Sequence, residues 1–432
     1  MFAAAAENQF FYRCVILKRC FCKKRARNVI IKIVSKSLEG SSAVMFLIRN
    51  AEVFAPEPLG RKDVLIGFGK IIRIGEGLPG EYGGLDVEEV DAKDCILAPG
   101  FVDQHVHVMG AGGEAGFFSR TPEMQVSAIV SHGITTVVGL HGTDGTARNI
   151  EALYAKVCSL EQEGITARML TGSFEMPSAT LTGSVRRDMI FIDKVIGAKT
   201  AVSDRRSSQP SRSDIEKLLA QAYTGGLVSG KRGYTHFHMG VGRRRLDMLA
   251  DIIRETEIPP YLIIPTHVNR DEELFVQAME LAKMGAVIDI TSGIAPEGGF
   301  GGAVKPSDAV VRCLENGVKI QNVTMSSDAN GSMAVYDADG RFAGLCVTTV
   351  ETMHKEFRDL ARTKGVTLET ALRPVTSSPA AAIGMYPRKG CVEEGSDADL
   401  IIMDKDLSIL KVFAMGRLAA DEGGALLKGA FE

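Results

Sequence analysis

Two histidines separated by one residue are the side chains of this sequence best placed to bind a metal ion. His105 and His107 close an apolar run that begins at Phe101. If the run is a β-strand, both imidazoles lie on the same side of it, because side chains alternate with a period of two residues. Imidazole is a common nitrogen ligand of zinc-like ions. The pair therefore indicates part of a metal site, and the alternative is two histidines in a turn that bind nothing.

Four more side chains with nitrogen or oxygen donors lie at the ends of later apolar runs. They are Lys199, His238, His267 and Asp328. Taken one at a time, they have ordinary interpretations: a solvated lysine, a hydrogen-bonded histidine, or an aspartate that caps a helix. Taken with the first pair, they form a donor set that suits Zn, Mn or Co better than an iron–sulfur or copper site. The set therefore predicts a centre for divalent metal ions.

The middle of the chain alternates between strand-like and helix-like patterns. The strand candidates are 101–107, 135–140, 167–172, 195–199, 234–238, 261–266, 286–290 and 319–324. Such an alternation over about 285 residues predicts an α/β fold with a (β/α)8 TIM-like barrel, in which active residues lie at the carboxyl ends of the strands. The candidate ligands fall at these ends. A doubly wound open sheet is the alternative.

Two of the helix-like patterns begin with recognisable capping signals. The patterns cover 122–131, 150–162, 213–228, 244–254, 271–283 and 306–315. Thr121 is a candidate N-cap with Pro122 at the first helical position. Ser213 and Glu216 have the spacing of a capping box. We therefore expect helices to begin beside these residues.

Short β-rich runs flank the barrel on both sides. They cover 46–48, 63–66 and 70–74 before it, and 399–403, 409–413 and 416–418 after it. Two half-sets of strands at opposite ends of a chain can join in one sheet. We therefore predict a small β-sandwich domain formed by residues 45–98 and 385–432, with the catalytic barrel, residues 99–384, inserted between them.

Residues 1–44 differ in composition from the rest, with nine Lys and Arg against Glu7 and Glu39. This basic leader is either an organelle transit peptide or translated sequence upstream of a start at Met45, and we expect it to be disordered or foreign to the native fold. The net charge of −3 does not point to nucleic acid or to an anionic membrane surface, and we expect neither as a partner. Eight scattered Cys favour reduced thiols in the cytoplasm.

The order of the candidate ligands and the sequence segments around them resemble those of a known family. HxH, Lys, His, His and Asp on strands one, four, five, six and eight resemble the binuclear centre of the amidohydrolase superfamily. The surrounding segments resemble isoaspartyl dipeptidases, or β-aspartyl peptidases, which are metallopeptidases of that superfamily. These segments are 112–116 (GGEAG), 181–184 (LTGS), 195–199 (VIGAK), 265–270 (PTHVNR) and 326–332 (SSDANGS). The resemblance extends from Met45 to Glu432.

The resemblance implies roles for the candidate ligands. His105, His107 and Asp328 would hold one metal, and His238 and His267 the second. Lys199, carbamylated by CO2, would bridge two divalent ions, with Zn as the expected metal. A metal-bridged hydroxide would attack the isopeptide carbonyl of a β-aspartyl dipeptide, and Asp328 would take the proton of the water and pass it to the leaving amine.

The resemblance also implies residues that bind the charged groups of the substrate. Glu114 would bind the α-amino group, and Arg206 and Arg270 would bind carboxylates. Further substrate-binding positions are Gly112, Thr143 and Ser332. Without the family, Arg206 and Arg270 would be interpreted as surface ion pairs and Glu114 as a loop charge. The family also implies a homo-oligomer, up to an octamer.

Phe174 departs from the family, which has a tyrosine here that is expected to hydrogen-bond the scissile carbonyl. Removing one such donor typically costs roughly 10²–10³ in rate. Either the activity is reduced or altered, or another donor replaces the hydroxyl. His141, which follows the second strand, is a candidate for that donor.

Two other functions stay open at this point. One is another amide hydrolase of the superfamily, either hydantoinase- or dihydroorotase-like or an N-acyl amino acid deacylase. The other is a scaffold without catalysis. Glu114 together with Arg206 and Arg270 favours a zwitterionic dipeptide over a cyclic amide. The complete ligand set argues against a scaffold.

Overall fold

The computed structural model describes residues 45–336 and 342–432. The prediction of a basic leader at residues 1–44 lies outside the described residues. In chain order the strands are β1 (Met45–Phe54), β2 (Pro58–Gly67), β3 (Lys70–Gly75), β4 (Val87–Asp91), β5 (Ile96–Pro99), β6 (Phe101–Val106), β7 (Ile134–Gly139), β8 (Thr166–Gly172), β9 (Val195–Val202), β10 (Tyr234–Met239), β11 (Ile263–Thr266), β12 (Ile288–Thr291), β13 (Val323–Ser326), β14 (Ser332–Tyr336), β15 (Phe342–Val347), β16 (Leu400–Met403), β17 (Ile409–Ala414), β18 (Arg417–Asp421) and β19 (Gly424–Ala425).

Most of the helices stand between the strands of the barrel or directly after them. They are α1 (Val126–Val130), α2 (Ile150–Glu163), α3 (Val185–Phe191), α4 (Arg212–Ser229), α5 (Asp247–Glu255), α6 (Glu272–Lys283), α7 (Pro306–Glu315), α8 (Glu351–Thr363), α9 (Leu368–Leu372) and α10 (Ser377–Ala382).

The strands β6 to β13 form the predicted parallel barrel. They pair in sequence order. Val106 of β6 meets Ala329, beyond β13, in a parallel bridge that brings the first and last strands together. Helices α1 to α8 follow these strands one by one, and apolar side chains of strands and helices form one continuous core. The predicted fold class is therefore confirmed, and the alternative of an open doubly wound sheet is wrong.

A second sheet combines the two ends of the described chain. Its order is β19-β18-β17-β16-β5-β1-β2-β3, with β4 also paired to β1. Antiparallel pairing of β5 with β16 joins the two halves. This sheet has its own apolar core, which includes Phe46 and Ile48 from one half and Leu400 and Phe413 from the other. The domain boundaries at residues 98 and 385 stay predictions.

Two predicted helix starts are wrong. The helix expected at Pro122 begins only at Val126, because the Thr121 hydroxyl bonds to both backbone groups of Ala111 instead of capping a helix. Helix α4 begins at Arg212 and is capped by Ser211 rather than Ser213.

Several barrel strands begin later than predicted. The run 261–266 forms a strand only from Ile263, after a 3-10 turn at Pro260–Leu262. Pro260 lies at the first position of this 3-10 turn. The run 319–324 likewise begins with a 3-10 turn, and its strand covers Val323–Ser326. The carboxyl ends, which position the candidate ligands, are little affected.

Candidate metal centre

The barrel brings the six predicted metal ligands to the carboxyl ends of its strands. His105 lies in β6, Lys199 in β9 and His238 in β10, and His107, His267 and Asp328 follow β6, β11 and β13. All six are at most 5% exposed. Parallel strands of a barrel end on the same side, so residues distant in sequence converge there.

Asp328 lies at the centre of this group. Its Oδ1 is 3.2 Å from Nε2 of His105 and 3.1 Å from Nε2 of His107. Its Oδ2 is 3.8 Å from Nδ1 of His267. Nζ of Lys199 is 3.3 Å from Nε2 of His105. Donor atoms of His105, His267 and Asp328 all lie within 4.8 Å of one another, close enough to share one ion.

Two of the candidate ligands have a strained backbone. His267 and Asp328 have φ values of 63° and 54°, in the left-handed region that non-glycine residues rarely adopt. Such residues cost of order 1–3 kcal/mol each and persist where the surroundings hold them. Nδ1 of His267 lies 2.7 Å from the Thr291 hydroxyl, which fixes that ring. The strain is typical of residues that a site holds in one orientation.

Burial prepares the side chains for metal binding. It lowers the pKa of His105 to about 3 and that of His267 well below its usual value, so both rings are neutral near pH 7. Burial alone would raise the pKa of Asp328, but the imidazoles outweigh it and hold the pKa well below its usual value. Burial also lowers the pKa of Lys199 to about 7. Neutral imidazoles and ionised carboxylates are the forms that bind metals.

Unpartnered polar atoms show that these residues fit a cation. Within the described ranges, Oδ1 of Asp328 and Nδ1 of His107 are buried and have no hydrogen bond of regular geometry. Buried polar atoms without partners are rare in native proteins and often mark an ion or water that belongs between them. The donors are nitrogen and oxygen only, which suits divalent ions of the zinc class.

His238 contacts a residue that the sequence analysis missed. Its Nε2 lies 3.0 Å from Oδ2 of Asp204, 3.2 Å from Arg206 and 3.5 Å from Arg270. Its ring is still 4.7 Å from the His267 ring, so it belongs to the same cluster. Strand β9 extends to Val202, beyond the predicted end at residue 199, which places Asp204 just after a strand end. In the sequence, Asp204 lies between the predicted ligand Lys199 and the predicted substrate-binding residue Arg206, and this position could have identified it as a site residue.

A cavity of about 700 Å³ opens beside the centre and contains most of the predicted site residues. Those that line it are His107, Glu114, Thr143, Phe174, Arg206, His238, His267, Arg270, Asp328 and Ser332. Lys199 and His105 are fully buried and do not line it. Gly112 does not line it either. With φ at +80°, a Cβ there would lie 2.3 Å from the Ser119 carbonyl oxygen, so Gly112 serves a tight turn.

The charged residues of the cavity differ in how far they are already paired. Asp204 accepts hydrogen bonds from Arg206 at 3.0 and 2.9 Å, and Oε1 of Glu114 lies 3.4 Å from the same guanidinium. The hydroxyl of Thr143 donates to Glu114 at 3.0 Å. Arg270 forms no ion pair with any described residue and donates to the Met239 carbonyl at 3.1 Å. Burial lowers the pKa of Arg270 to about 10, so the guanidinium remains charged at neutral pH.

Comparison with known proteins decides the family. The Amidohydrolase family profile matches residues 302–419. A solved β-aspartyl dipeptidase of Fervidobacterium islandicum AW-1, in complex with β-Asp-Leu, superimposes with a TM-score of 0.81 and 42% identity, over 88% of this chain and 98% of that one. A second structure of that enzyme gives 0.80 and 40%, with the same coverage of both chains. The chain belongs to the β-aspartyl dipeptidase family.

More distant matches show the fold of the superfamily. A D-hydantoinase structure superimposes with a TM-score of 0.64 at 19% identity, over 89% of this chain and 97% of that one. The dihydroorotase of Staphylococcus aureus strain MRSA252 is 32% identical over 36% of this chain, and the match spans only 37% of that enzyme. None of the helices in the described part of the chain is long and apolar enough to cross a membrane.

Phe174 of this family member forms part of the cavity wall. Its ring centroid is 4.2 Å from that of His238 and 5.4 Å from the guanidinium carbon of Arg206. It offers no hydroxyl. His141 is 1% exposed and does not line the cavity, and its Nε2 has no partner among the described residues. Compensation by His141 therefore stays a hypothesis without a supporting contact.

Proposed function

We propose that this chain is a binuclear, metal-dependent isoaspartyl dipeptidase that hydrolyses the isopeptide bond of β-aspartyl dipeptides. The observation that carries the proposal is a cavity beside a metal-type donor cluster, lined by Glu114 and by the guanidinium of Arg270, which has no carboxylate partner among the described residues. Similarity to the F. islandicum enzyme, solved with β-Asp-Leu, supports the same substrate class.

The proposed ligands divide between two metal ions. His105, His107 and Asp328 would hold one ion, and His238 and His267 the other. When bound, two divalent ions, expected to be Zn, supply a water of lowered pKa and polarise the carbonyl. For His238 to bind the ion through Nε2, this nitrogen must give up its contact with the Asp204 carboxylate.

Lys199 is suited to become a carbamate. Its Nζ is fully buried and forms no ion pair within the described ranges, and its pKa of about 7 leaves much of the amine unprotonated at neutral pH. An unprotonated amine adds to the carbon of CO2 and loses a proton, which forms an N–C bond and a carbamate whose two oxygens share one negative charge. A cation that would repel metal ions thereby becomes a ligand able to bridge them.

Asp328 is the proposed acid–base residue. Its carboxylate is held in a strained backbone conformation between the imidazoles. Its lowered pKa keeps it ionised and able to accept the proton of the attacking water. We propose that it then delivers this proton to the nitrogen of the leaving amine.

The charged residues of the cavity wall would orient the dipeptide. Glu114 is the proposed partner of the α-ammonium group, and Arg270 and Arg206 those of the two carboxylates. Thr143 and Ser332 line the same cavity. A volume of about 700 Å³ suits a small ligand. Gly112 stays a proposed substrate-binding position, and its positive φ also shapes the nearby turn.

The decisive test compares isomeric dipeptides. Protein loaded with zinc and bicarbonate is incubated with β-Asp-Leu or α-Asp-Leu, and released leucine is measured. We expect hydrolysis of the β isomer and little of the α isomer, with Asp328→Asn as the inactive control. Equal rates, or no hydrolysis of β-Asp-Leu, would contradict the proposal.

The alternative is hydrolysis of another amide, of hydantoinase, dihydroorotase or N-acyl amino acid deacylase type. The partial match to dihydroorotase favours testing it. Hydantoin, dihydroorotate and N-acetyl-leucine in the same assay would reveal it. A protein inert on every substrate and unable to bind metal would be the scaffold. From the family we also propose a cytoplasmic homo-oligomer, as large as an octamer, which light scattering can test.

A further inference from the structure

A second imidazole lies directly against the metal-ligand candidate His105. His236 is on strand β10, in register with Lys199 of β9. Its Nε2 is 2.9 Å from Nδ1 of His105, and the ring centroids are 5.0 Å apart. Both rings are fully buried. This contact lies on the nitrogen of His105 that does not face Asp328.

The contact determines which nitrogen of His105 is available to a metal. A neutral imidazole carries one N–H, and the other nitrogen is an acceptor. Nε2 of His105 faces Asp328 and Lys199. It can bind a metal only if the proton is on Nδ1, and Nε2 of His236 must then accept that proton's hydrogen bond.

In the opposite arrangement each of the two rings carries its proton on Nε2. His236 then donates to His105, and His105 donates to Asp328, which blocks the metal-binding nitrogen. Both arrangements hold two protons, so the pair changes between them without net proton uptake. Binding of a metal at Nε2 selects the first arrangement.

We propose that His236 is a positioning residue of the metal centre, which accepts the Nδ1–H of His105, orients its ring and presents its Nε2 lone pair to the metal. Histidine ligands usually donate their second N–H to a carboxylate, a carbonyl or water, and loss of such a partner typically weakens metal affinity by about 10–100-fold. In this proposal a second histidine, His236, accepts that hydrogen bond. The inference rests on the metal centre of the proposed function.

A nearby carboxylate does not take over this role. Asp289 lies 4.0 Å from Nε2 of His236, beyond hydrogen-bond distance. Four donors already occupy its oxygens at 2.6–2.8 Å: the side chains of Gln104, Thr266, Thr324 and Ser326.

A third metal between His105, His236 and Asp289 is the competing interpretation, since their donor atoms lie within 4.8 Å of one another. The 2.9 Å separation of the two imidazole nitrogens is instead that of a hydrogen bond. The occupied oxygens of Asp289 also argue against this ion.

The test measures zinc affinity instead of turnover. Metal-free wild type, His236→Phe and His236→Gln are titrated with zinc against a chromophoric chelator, with bicarbonate present. We expect His236→Phe to bind about 10–100-fold more weakly. His236→Gln, whose amide oxygen can accept the bond, should restore most of the affinity. The Co²⁺ absorption spectrum should change with His236→Phe and return with His236→Gln.

Tyr234→Phe is the matched control. Tyr234 lies two residues earlier on the same strand, is fully buried, and its hydroxyl has no partner among the described residues. The affinity of this variant should equal that of wild type. Thermal unfolding identifies a variant that fails to fold, and His236→Val then replaces His236→Phe with the same expectation.

Three outcomes would overturn the inference. Wild-type affinity in His236→Phe would show that no acceptor is needed, and equal weakening in His236→Gln would show that only the ring packing matters. Loss of a third equivalent of zinc would assign a metal to His236 itself. The proposed function fails separately, if wild type binds two zinc ions but leaves β-Asp-Leu intact. A wild type that binds no metal overturns both.

Discussion

Phe174→Tyr should make this enzyme faster. Phe174 is 3% exposed, and its ring already packs against His238 in the cavity wall. Phe174 also lines the cavity, so we expect a hydroxyl added to this ring to lie at the site. A donor to the developing oxyanion is worth roughly 10²–10³ in kcat, or about 2.7–4 kcal/mol. We therefore expect a gain of at least about tenfold, or 1.4 kcal/mol.

The assay is steady-state hydrolysis of β-Asp-Leu with the metal content of each variant measured. The gain should appear in kcat with little change in KM, because the hydrogen bond forms mainly in the transition state. Phe174→Met, which removes the ring, is the control for packing. An unchanged kcat in fully metallated Phe174→Tyr would refute the reasoning. If His141→Ala leaves the rate unchanged while Phe174→Tyr raises it, His141 is not the substitute donor.

Three further predictions concern the centre and the cavity. Asp328→Asn should lower kcat by about 10²–10⁴ or more, since a proton acceptor and a ligand are lost together; near wild-type turnover at full metal loading would exclude the acid–base role. Lys199→Ala should bind fewer than two zinc ions per chain by elemental analysis, and wild type loaded in CO2-free buffer should show the same deficit; unchanged stoichiometry would rule out a bridging carbamate. Arg270→Met should raise KM for β-Asp-Leu by roughly 10–150-fold, because a hydrogen bond to a charged group is worth about 1.5–3 kcal/mol. A smaller rise in KM than in Arg206→Met would contradict the assignment of Arg270.

The sequence was sufficient for the barrel and for the place of the candidate ligands in it, because both follow local patterns. Apolar runs predict strands, and a polar residue at the end of each run predicts a side chain at the open end of the barrel. Asp204 was missed because β9 extends three residues beyond Lys199, and the length of a strand depends on its neighbours. The role of His236 depends on a distance of 2.9 Å to a residue 131 positions earlier, which no local pattern encodes.

Tertiary contacts also explain details that the sequence patterns did not reveal. The Thr121 hydroxyl contacts the backbone of Ala111, and a capping pattern does not predict this contact. Gly112 was assigned to substrate binding by resemblance, and that assignment stays a prediction; its positive φ and the nearby Ser119 carbonyl show in addition that the backbone requires glycine there. In both cases loop residues in close contact determine the outcome.

The charge balance of the cavity separates the two arginines and with them the two substrate classes. Asp204 and Glu114 already offset the charge of Arg206, whereas Arg270 is a partly buried cation without a carboxylate partner in the described ranges. A charge that is partly removed from water and lacks a partner is costly. A neutral cyclic amide would leave Arg270 unpaired, while a β-aspartyl dipeptide brings free carboxylates to it and an ammonium to Glu114. We infer that the dipeptide, by completing this balance, is bound in preference to hydantoin-like compounds.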